Sequence, residues 1–315
     1  MRYVFGPVPS RRLGRSLGVD PVPAKTCDWN CVYCQLGRTS APTHARRAWV
    51  PTEALLEELR ETLARHAGEI DWVTFSGSGE PTLHRDLGRM IRGAKAASPV
   101  PVAVITNGST LALEEVREAL LAADAVLPTV SAGSEEVWLR LHRPASASSG
   151  GDSGFERFVE GLVAFGEQYE GRLWPEVMLV AGINDDDGAL ADIAALLARI
   201  RPDEIHLLSP SRPPTEPWVQ PVGPEVIARA AALLGAVATV VPPAEIPEAH
   251  AFAEEERIEE AVLSLIRRHP MREEELSGYF GRWTPEEVHA ALSSLEADGT
   301  ARATTRDDGR YWCAA

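Results

Sequence analysis

The feature that most constrains the fold of this 315-residue chain is a regular alternation of two sequence patterns, from residue 16 to about residue 243. Short runs rich in β-branched and other apolar residues alternate with longer stretches whose apolar residues recur with the period of a helix. Repeated strand–helix units build a parallel sheet, so this pattern predicts an α/β fold, specifically a partial, TIM-like (β/α)6 barrel. The predicted strands span residues 16–22, 71–77, 102–107, 125–131, 176–183 and 204–210, with a possible seventh at 237–243.

After residue 254 the pattern changes to three helical stretches followed by a hairpin. Thr284 and Glu287 have the spacing of a capping box at the start of the third helix, and Gly299 ends it. Asp308-Gly309 supplies a tight turn. This order predicts a small C-terminal winged helix-turn-helix domain. We therefore expect a barrel over residues 1–240, a linker over 241–254 and the winged-helix domain over 255–315.

Three of the four cysteines lie close together, as Cys27, Cys31 and Cys34 in the spacing C-x3-C-x2-C. This is poor disulfide geometry but suits metal ligation in a reducing compartment. Three thiolates on a short loop can hold three irons of a [4Fe–4S] cubane and leave the fourth iron open. A zinc site is the alternative, but zinc usually takes four ligands in paired C-x2-C groups, and the sequence has no second pair.

With this cysteine motif and further motifs after the predicted strands, the chain resembles the radical S-adenosylmethionine (SAM) superfamily over most of residues 1–222. The segment 77–83, GSGEPTL, is similar to the superfamily's GGE motif, which meets the methionine amino group of SAM. The resemblance implies a [4Fe–4S] cluster held by Cys27, Cys31 and Cys34, with SAM as the second cofactor. The cofactor-binding residues that it implies are Tyr33, Gly77, Gly79, Glu80, Asn107, Ser131, Arg143 and Asn184.

Arg143 belongs to the segment 140–144, which is similar to an arginine-proline element of several relatives. In those relatives a cation pairs with the methionine carboxylate, and arginine suits a bidentate carboxylate contact. The alternative is a simple cation at a helix C-terminus, where the helix dipole favours positive charge. The sequence leaves both interpretations open.

Two further segments, 6–14 and 212–218, resemble a branch of the superfamily related to the wyosine-forming tRNA enzymes. The catalytic residues remain unknown, and Arg11, Arg12 and Cys313 are the candidates. Alternatively, the two arginines are exposed charges, and Cys313 is a spare surface or packing thiol.

The resemblance implies reductive cleavage of SAM to a 5′-deoxyadenosyl radical that abstracts hydrogen from a substrate. We expect a small-molecule or cofactor-pathway substrate and an electron donor of the flavodoxin or ferredoxin type. The alternatives are a tRNA base, or a peptide or protein that the winged helix recognises. The formal charge of −15 disfavours RNA because it repels a phosphate backbone, and the chain has only two lysines, Lys25 and Lys95.

No apolar run approaches the roughly 18 residues of a bilayer span, and the N-terminus lacks a secretory signal. We therefore predict a cytoplasmic protein without a membrane partner. The low-complexity segment 145–154 is expected to be a solvated loop, with an active-site lid as the alternative. Residues 254–310 hold fourteen Asp or Glu and eight Arg, so DNA binding is the weaker prediction for the C-terminal domain.

Overall fold

A computed structural model describes residues 3–145, 154–242, 257–306 and 309–315. The strands of the larger, N-terminal part are β1 (Val4–Ser10), β2 (Gly14–Val19), β3 (Trp72–Phe75), β4 (Val102–Thr106), β5 (Ala125–Pro128), β6 (Arg172–Leu173), β7 (Glu176–Met178), β8 (Ile205–Leu208) and β9 (Ala238–Val240). Its helices are α1 (Thr52–Arg65), α2 (Leu87–Ala97), α3 (Glu114–Leu120), α4 (Glu135–His142), α5 (Gly154–Gln168), α6 (Asp187–Ile200) and α7 (Pro224–Leu234).

These strands form two sheets, one in the order β1-β2-β3-β4-β5-β6 and one in the order β7-β8-β9. All neighbours from β2 to β6 and from β7 to β9 are parallel. A parallel bridge between Thr129 and Glu176 joins the sheets. The α/β prediction is therefore confirmed, and the arrangement is consistent with a partial barrel. The strand predicted over 176–183 is observed as the shorter β7, and the two-residue strand β6 before it was not predicted.

The helices cover the outer face of the sheets. In α1 the leucines at positions 55, 56, 59 and 63 are all buried, as their shared helical face predicts. They join one continuous hydrophobic core with outward-facing strand residues such as Leu17, Val73 and Val104. Because strand side chains alternate between faces, the intervening residues face the barrel interior.

Strand β1 was missed by the sequence analysis. It pairs antiparallel with β2, with an irregular register between Phe5 and Val8. Its sequence, VFGPVPS, contains glycine and two prolines, which obscure the alternation typical of a strand. Gly18 of β2 is required here, because a Cβ at that position would lie 2.1 Å from the Phe5 ring.

The C-terminal part contains α8 (Ile258–Ile266), β10 (Met271–Arg272), α9 (Glu273–Tyr279), α10 (Pro285–Ala297), β11 (Ala301–Arg306) and β12 (Gly309–Ala314). The predicted capping box of Thr284 and Glu287 is confirmed at the start of α10. The sheet order is β10-β12-β11, with antiparallel pairs. The two-residue strand β10 was not predicted, because it is too short to show a period. The hydrophobic core of this part is separate from that of the barrel.

The C-terminal part is docked on the barrel by specific polar contacts. The Tyr279 hydroxyl donates to the Pro7 carbonyl at 2.9 Å, and the Tyr311 hydroxyl donates to the Ser211 carbonyl at 3.2 Å. The Arg268 guanidinium pairs with Asp20 at 2.5 Å. These contacts join the last elements of the chain to β1, to the end of β2 and to the segment after β8.

Some of the predicted features lie outside the described residues. They are most of the loop 145–154, most of the linker 241–254, and Asp308 of the predicted hairpin turn. Within the described ranges, no helix combines the length and the apolarity that crossing a bilayer requires.

Candidate active site

The three clustered cysteines lie on the long loop between β2 and α1, at the carboxyl end of β2. Cys27, Cys31 and Cys34 are free and half-buried. The Cys34 amide donates to the Cys31 carbonyl at 3.2 Å, which forms a turn between the last two cysteines. Parallel α/β folds carry their chemistry at this end of the strands. The predicted iron ligands therefore lie where a barrel enzyme has its active site.

Each cysteine sulfur has a side-chain nitrogen donor beside it. The pairs are His142 Nδ1 with Cys31 Sγ at 3.3 Å, Lys25 Nζ with Cys34 Sγ at 3.7 Å, and Asn107 Nδ2 with Cys27 Sγ at 3.7 Å. Hydrogen bonds to cluster sulfurs and the charge around them are among the factors that set the reduction potential of an iron–sulfur cluster. The three nitrogens therefore suit sulfurs that carry negative charge.

His142 is the last residue of α4, and its side chain is completely buried. Burial lowers the pKa of His142 to about 3, so its ring is neutral. Nδ1 contacts both Cys31 Sγ and the Tyr33 hydroxyl, whereas Nε2 is buried without a hydrogen-bond partner among the described residues. A proton on Nδ1 lets the ring donate to the sulfur. The sequence analysis missed this role because 111 residues separate His142 from Cys31.

The cysteine arrangement fits a cubane better than a single metal ion. Within the described ranges, no three Cys, His, Asp or Glu side chains are gathered closely enough to hold one ion. In a cubane the thiolates bind different irons, so their sulfurs need not converge on one point. Burial raises the pKa of the Cys27 and Cys31 thiols, so iron binding must release their protons.

The glycine-rich segment after β3 is held against the cysteine loop. The Asp20 carboxylate accepts from the Ser78 amide at 2.6 Å and from the Ser78 hydroxyl at 3.0 Å. Gly77 has φ +109°, and a Cβ there would lie 2.0 Å from Asp20 Oδ1. A Cβ on Gly79 would lie 2.2 Å from the Thr26 carbonyl oxygen. Both glycines are therefore needed for this close approach, and Asp20 was not identified from the sequence.

Glu80 connects the loops that follow β3 and β4, and its side chain is buried. Its carboxylate accepts from the Thr82 amide at 3.0 Å, the Thr82 hydroxyl at 2.6 Å, the Thr106 hydroxyl at 2.6 Å and the Asn107 amide at 2.6 Å. Burial raises the pKa of Glu80 to about 7, although these hydrogen bonds oppose the shift. The expected meeting of this carboxylate with the methionine amino group stays a prediction, and in the structure its oxygens accept from Thr82, Thr106 and Asn107.

Ser131 and Asn184 form part of the scaffold. Asn184 is fully buried; its amide nitrogen donates to the carbonyls of Ser131 and Met178, and its amide oxygen accepts from the Val180 backbone. The Ser131 hydroxyl accepts from the Met178 amide at 2.9 Å. Asn184 therefore shapes the turn after β7, and its expected contact with SAM stays a prediction. Asn107, by contrast, lies beside Cys27 and donates to Asp28 at 2.8 Å.

Arg143 has a protein partner in the structure. It is the C-terminal cap of α4 with φ +47°, and it pairs with Glu216 at 2.5 Å, so its expected contact with the methionine carboxylate stays a prediction. Arg38 contacts the same Glu216 oxygen at 2.7 Å. The hydrogen bond from Arg143 contributes most to lowering the pKa of Glu216. The segment 212–218 thus supplies the carboxylate that Arg143 binds.

The three catalytic candidates lie in different places. Arg11 is exposed and donates to the Pro242 carbonyl at 2.8 Å. Cys313 is buried in β12, as the alternative of a packing thiol predicts, and burial raises its pKa. Arg12 pairs with Glu176 of β7, and both side chains are largely buried.

Arg12, Glu176 and His206 form a polar group, which we call the lumen triad. Glu176 and His206 are register partners in the β7–β8 pair. Ile205 and Leu207 belong to the outer core, so His206 faces the interior. The Arg12 Nε and His206 Nδ1 atoms are buried without a hydrogen-bond partner among the described residues.

The model of the family described as "Radical SAM superfamily" matches residues 22–217. The chain belongs to this superfamily. It is therefore a radical SAM enzyme, and the prediction of a [4Fe–4S] cluster and SAM as its cofactors is confirmed.

Relatives of this radical SAM enzyme include two that carry the name "UPF0026 protein". A "UPF0026 protein" of Methanocaldococcus jannaschii is 34% identical over 280 residues, which is 87% of this chain and 84% of that one. A "UPF0026 protein" of Synechocystis is 35% identical over 211 residues, 67% of this chain and 76% of that one. A Brachyspira hyodysenteriae protein called "GTPase Obg" is 39% identical over 67% of this chain, but the match spans only 30% of that protein.

Two solved structures share the fold of this radical SAM enzyme. A radical SAM methyltransferase from Sphaerobacter thermophilus has a TM-score of 0.54 and 18% identity over 71% of this chain and 65% of that one. Streptococcus suis SuiB bound to S-adenosylmethionine has a TM-score of 0.50 and 12% identity over 68% of this chain and 45% of that one. At these identities the likeness concerns the fold alone.

The ion pair between Arg268 and Asp20 yields the first prediction. Both side chains are at most 10% exposed, and removing one partner of a buried pair leaves the other charge uncompensated. Arg268→Gln should therefore lower the free energy of unfolding by about 3 kcal/mol, measured by urea denaturation. It should also weaken SAM binding, because Asp20 holds Ser78.

Arg267→Gln is the matched control for this prediction. Arg267 is the preceding residue, is exposed, and has no hydrogen-bonded or ion-paired partner within the described ranges. The stability and SAM affinity of the Arg267→Gln variant should match those of the unmodified protein. Equal stability of the two variants would contradict a structural role for the Arg268–Asp20 pair.

Proposed function

We propose that this radical SAM enzyme acts on a small polar molecule held inside the barrel. Cys27, Cys31 and Cys34 would hold the cluster, and the loops after β3 and β4 would hold SAM. When bound, the cluster and SAM supply the 5′-deoxyadenosyl radical that removes a hydrogen atom from the substrate. The donors beside the three sulfurs support this assignment of the ligands.

The observation that carries the substrate proposal is the lumen triad. Burying a polar atom without a hydrogen-bond partner costs the free energy of its lost hydration. Arg12 Nε and His206 Nδ1 are both buried without a hydrogen-bond partner among the described residues. A substrate with an acceptor group would satisfy Arg12. Glu176 pairs with the same guanidinium and orients it.

Aromatic side chains beside the triad would keep water away from the substrate. The rings of Trp174 and His206 have centroids 5.7 Å apart, as have those of Trp72 and Trp174. Trp72 packs with Leu13 and Leu127 in a separate apolar cluster. An apolar floor under a few polar groups is typical of a small-molecule site.

For the C-terminal part we propose a winged-helix domain over residues 255–315, joined by a linker over 241–254 to a barrel over 1–240. The element order of three helices and a three-stranded sheet supports this. Helix α10, the candidate recognition helix, contains no Arg or Lys but carries Glu286 and Glu287, and base reading usually relies on such cations. The polar contacts that Arg268, Tyr279 and Tyr311 of the C-terminal part make with the barrel instead support a role in closing the barrel.

An electron donor of the flavodoxin or ferredoxin type is the partner we propose. The similarity of segment 6–14 to the wyosine-related branch supports a second candidate, modification of a tRNA base. The lumen triad favours the small-molecule proposal over it, because Arg12 of that segment turns inward to Glu176. In the same segment, Arg11 is exposed but bonded within the chain.

The function is tested by anaerobic reconstitution with iron and sulfide, followed by incubation with SAM and a chemical reductant. We expect methionine and 5′-deoxyadenosine to form, with isotopic hydrogen from a labelled small-metabolite extract appearing in the 5′-deoxyadenosine. Arg12→Gln should still cleave SAM but should lose this hydrogen transfer. Transfer from a tRNA pool but not from the metabolite extract would contradict the small-molecule proposal.

A further inference from the structure

A cleft of about 1370 Å³ lies between the barrel and the C-terminal part. Its walls come from the cysteine loop, Ser78 of the glycine-rich segment, the segment after β8, helix α8 and the residues that follow it, and strands β11 and β12. None of the lumen triad residues lines it. The cleft is therefore separate from the proposed substrate site.

Basic residues dominate the charge of this cleft, although the whole chain carries −15. Two acidic residues line it, Asp20 and Glu260, and Asp20 is already paired with Arg268. The basic residues in its walls are Lys25, Arg38, Arg267, Arg268, Arg302 and Arg306, and Arg38 is already paired with Glu216. A local excess of cations within an acidic protein creates a focused positive potential.

Two of these cations are available to a ligand. Within the described ranges, the side chains of Arg267 and Arg302 have no hydrogen-bonded or ion-paired partner, and both residues are exposed. Residues two apart on a strand share a face, so Arg302, Thr304 and Arg306 of β11 form a row of polar side chains along the cleft wall, in which Arg306 also donates to the Arg212 carbonyl at 2.9 Å. Such a row can contact more than one anionic group.

Lys25 lies on the opposite wall, where its ammonium also contacts Cys34 Sγ and the Gly37 carbonyl. It has φ +61°, a backbone conformation that is uncommon for residues other than glycine and is kept where the surrounding structure enforces it. Its amide donates to the Ser78 carbonyl at 2.6 Å, which fixes the residue between the cysteine loop and the glycine-rich segment. The cleft therefore has cations on both the barrel side and the C-terminal side.

We propose that this cleft binds a small molecule that carries phosphate groups. Arginine presents its donors in a planar fork that matches phosphate oxygens, and a ligand with two or more phosphates would span the donors of β11. The cleft volume is of the order of a small-molecule site. The acidic remainder of the protein disfavours a long nucleic-acid backbone.

Isothermal titration of the full-length chain with pyrophosphate tests this proposal. We expect one binding site, whose affinity falls between low and high salt because exposed charges are screened. Arg267→Gln and Arg302→Gln should each weaken binding about tenfold, the effect of losing a charge-assisted hydrogen bond. Both residues are exposed, so the variants should fold normally.

Arg199→Gln is the control, because Arg199 is also exposed and has no partner among the described residues, but lies at the end of α6 outside the cleft. It should bind pyrophosphate like the unmodified chain. Absence of binding, or equal binding by the Arg267→Gln/Arg302→Gln double variant, would overturn the proposal. So would binding of citrate or of a single-stranded RNA with no binding of pyrophosphate. Because none of these titrations requires the iron–sulfur cluster, they are independent of the proposed radical chemistry.

Discussion

Replacing Cys31 with alanine should yield a protein that holds no [4Fe–4S] cluster after anaerobic reconstitution, whereas the unmodified chain should hold about four irons. Cys31 is the middle ligand of the proposed set, and its loss would leave two thiolates for a cluster that needs three. Iron and sulfide analysis, together with the visible absorbance of the cluster, measures the effect. SAM cleavage should disappear with the iron.

The fourth cysteine provides the control for this experiment. Cys313→Ala also removes one thiol, but from β12, where the side chain is only 8% exposed. This variant should keep its full iron content and SAM cleavage. A Cys31→Ala protein that still assembled the cluster, or a Cys313→Ala protein that lost it, would contradict the assignment of the ligands.

Replacing Glu80 with alanine should cause the second large effect, a combined loss of stability and SAM binding. The carboxylate accepts four hydrogen bonds, and each buried donor left without a partner costs about 1–3 kcal/mol. The two hydroxyls can turn to other acceptors, whereas the amides of Thr82 and Asn107 cannot. We therefore expect the free energy of unfolding to fall by about 3 kcal/mol.

The pH dependence of stability distinguishes Glu80 from other buried groups. Its pKa is raised from 4.5 to about 7 in the folded protein, so between these values the folded state holds a proton that the unfolded state has released. In the cluster-free protein the contribution of Glu80 to stability should therefore fall as pH rises through this window, by up to about 3 kcal/mol. Buried neutral His142, whose pKa is lowered to about 3, contributes in the opposite direction in every variant. In Glu80→Gln the part of the pH dependence that Glu80 contributes should be absent. Glu61→Gln, a change at an exposed position of α1, should retain it.

The sequence predicted those parts of the fold whose signal is local and repeated. The parallel strands and the helices between them were found because their apolar residues recur with a fixed period, and the capping box of α10 because its two residues are three apart. Strand β1 was missed because Gly6, Pro7 and Pro9 interrupt its alternation. Strand β10 was missed because two residues show no period.

The candidate site divides in the same way. The cysteines and the glycine-rich segment were identified from motifs contiguous in the sequence. Asp20, His142 and Glu216 were missed, because their roles depend on contacts with residues between 58 and 111 positions away. Glu80, Arg143 and Asn184, which were expected to contact SAM, also have protein partners that the motifs did not reveal. A motif shows that a polar residue lies near a site, but only the fold shows which partner that residue already binds.

The contacts that dock the C-terminal part affect the order in which this enzyme matures. Asp20 meets Arg268 across 248 residues, and Pro7 meets Tyr279 across 272. Such distant pairings are slow to form, because the intervening chain must first be closed into a loop. During synthesis, the glycine-rich segment therefore cannot gain its Asp20–Arg268 support until nearly the whole chain has left the ribosome. We expect iron–sulfur insertion to follow chain release, so that nascent chains carry three exposed thiols that depend on the reducing capacity of their surroundings.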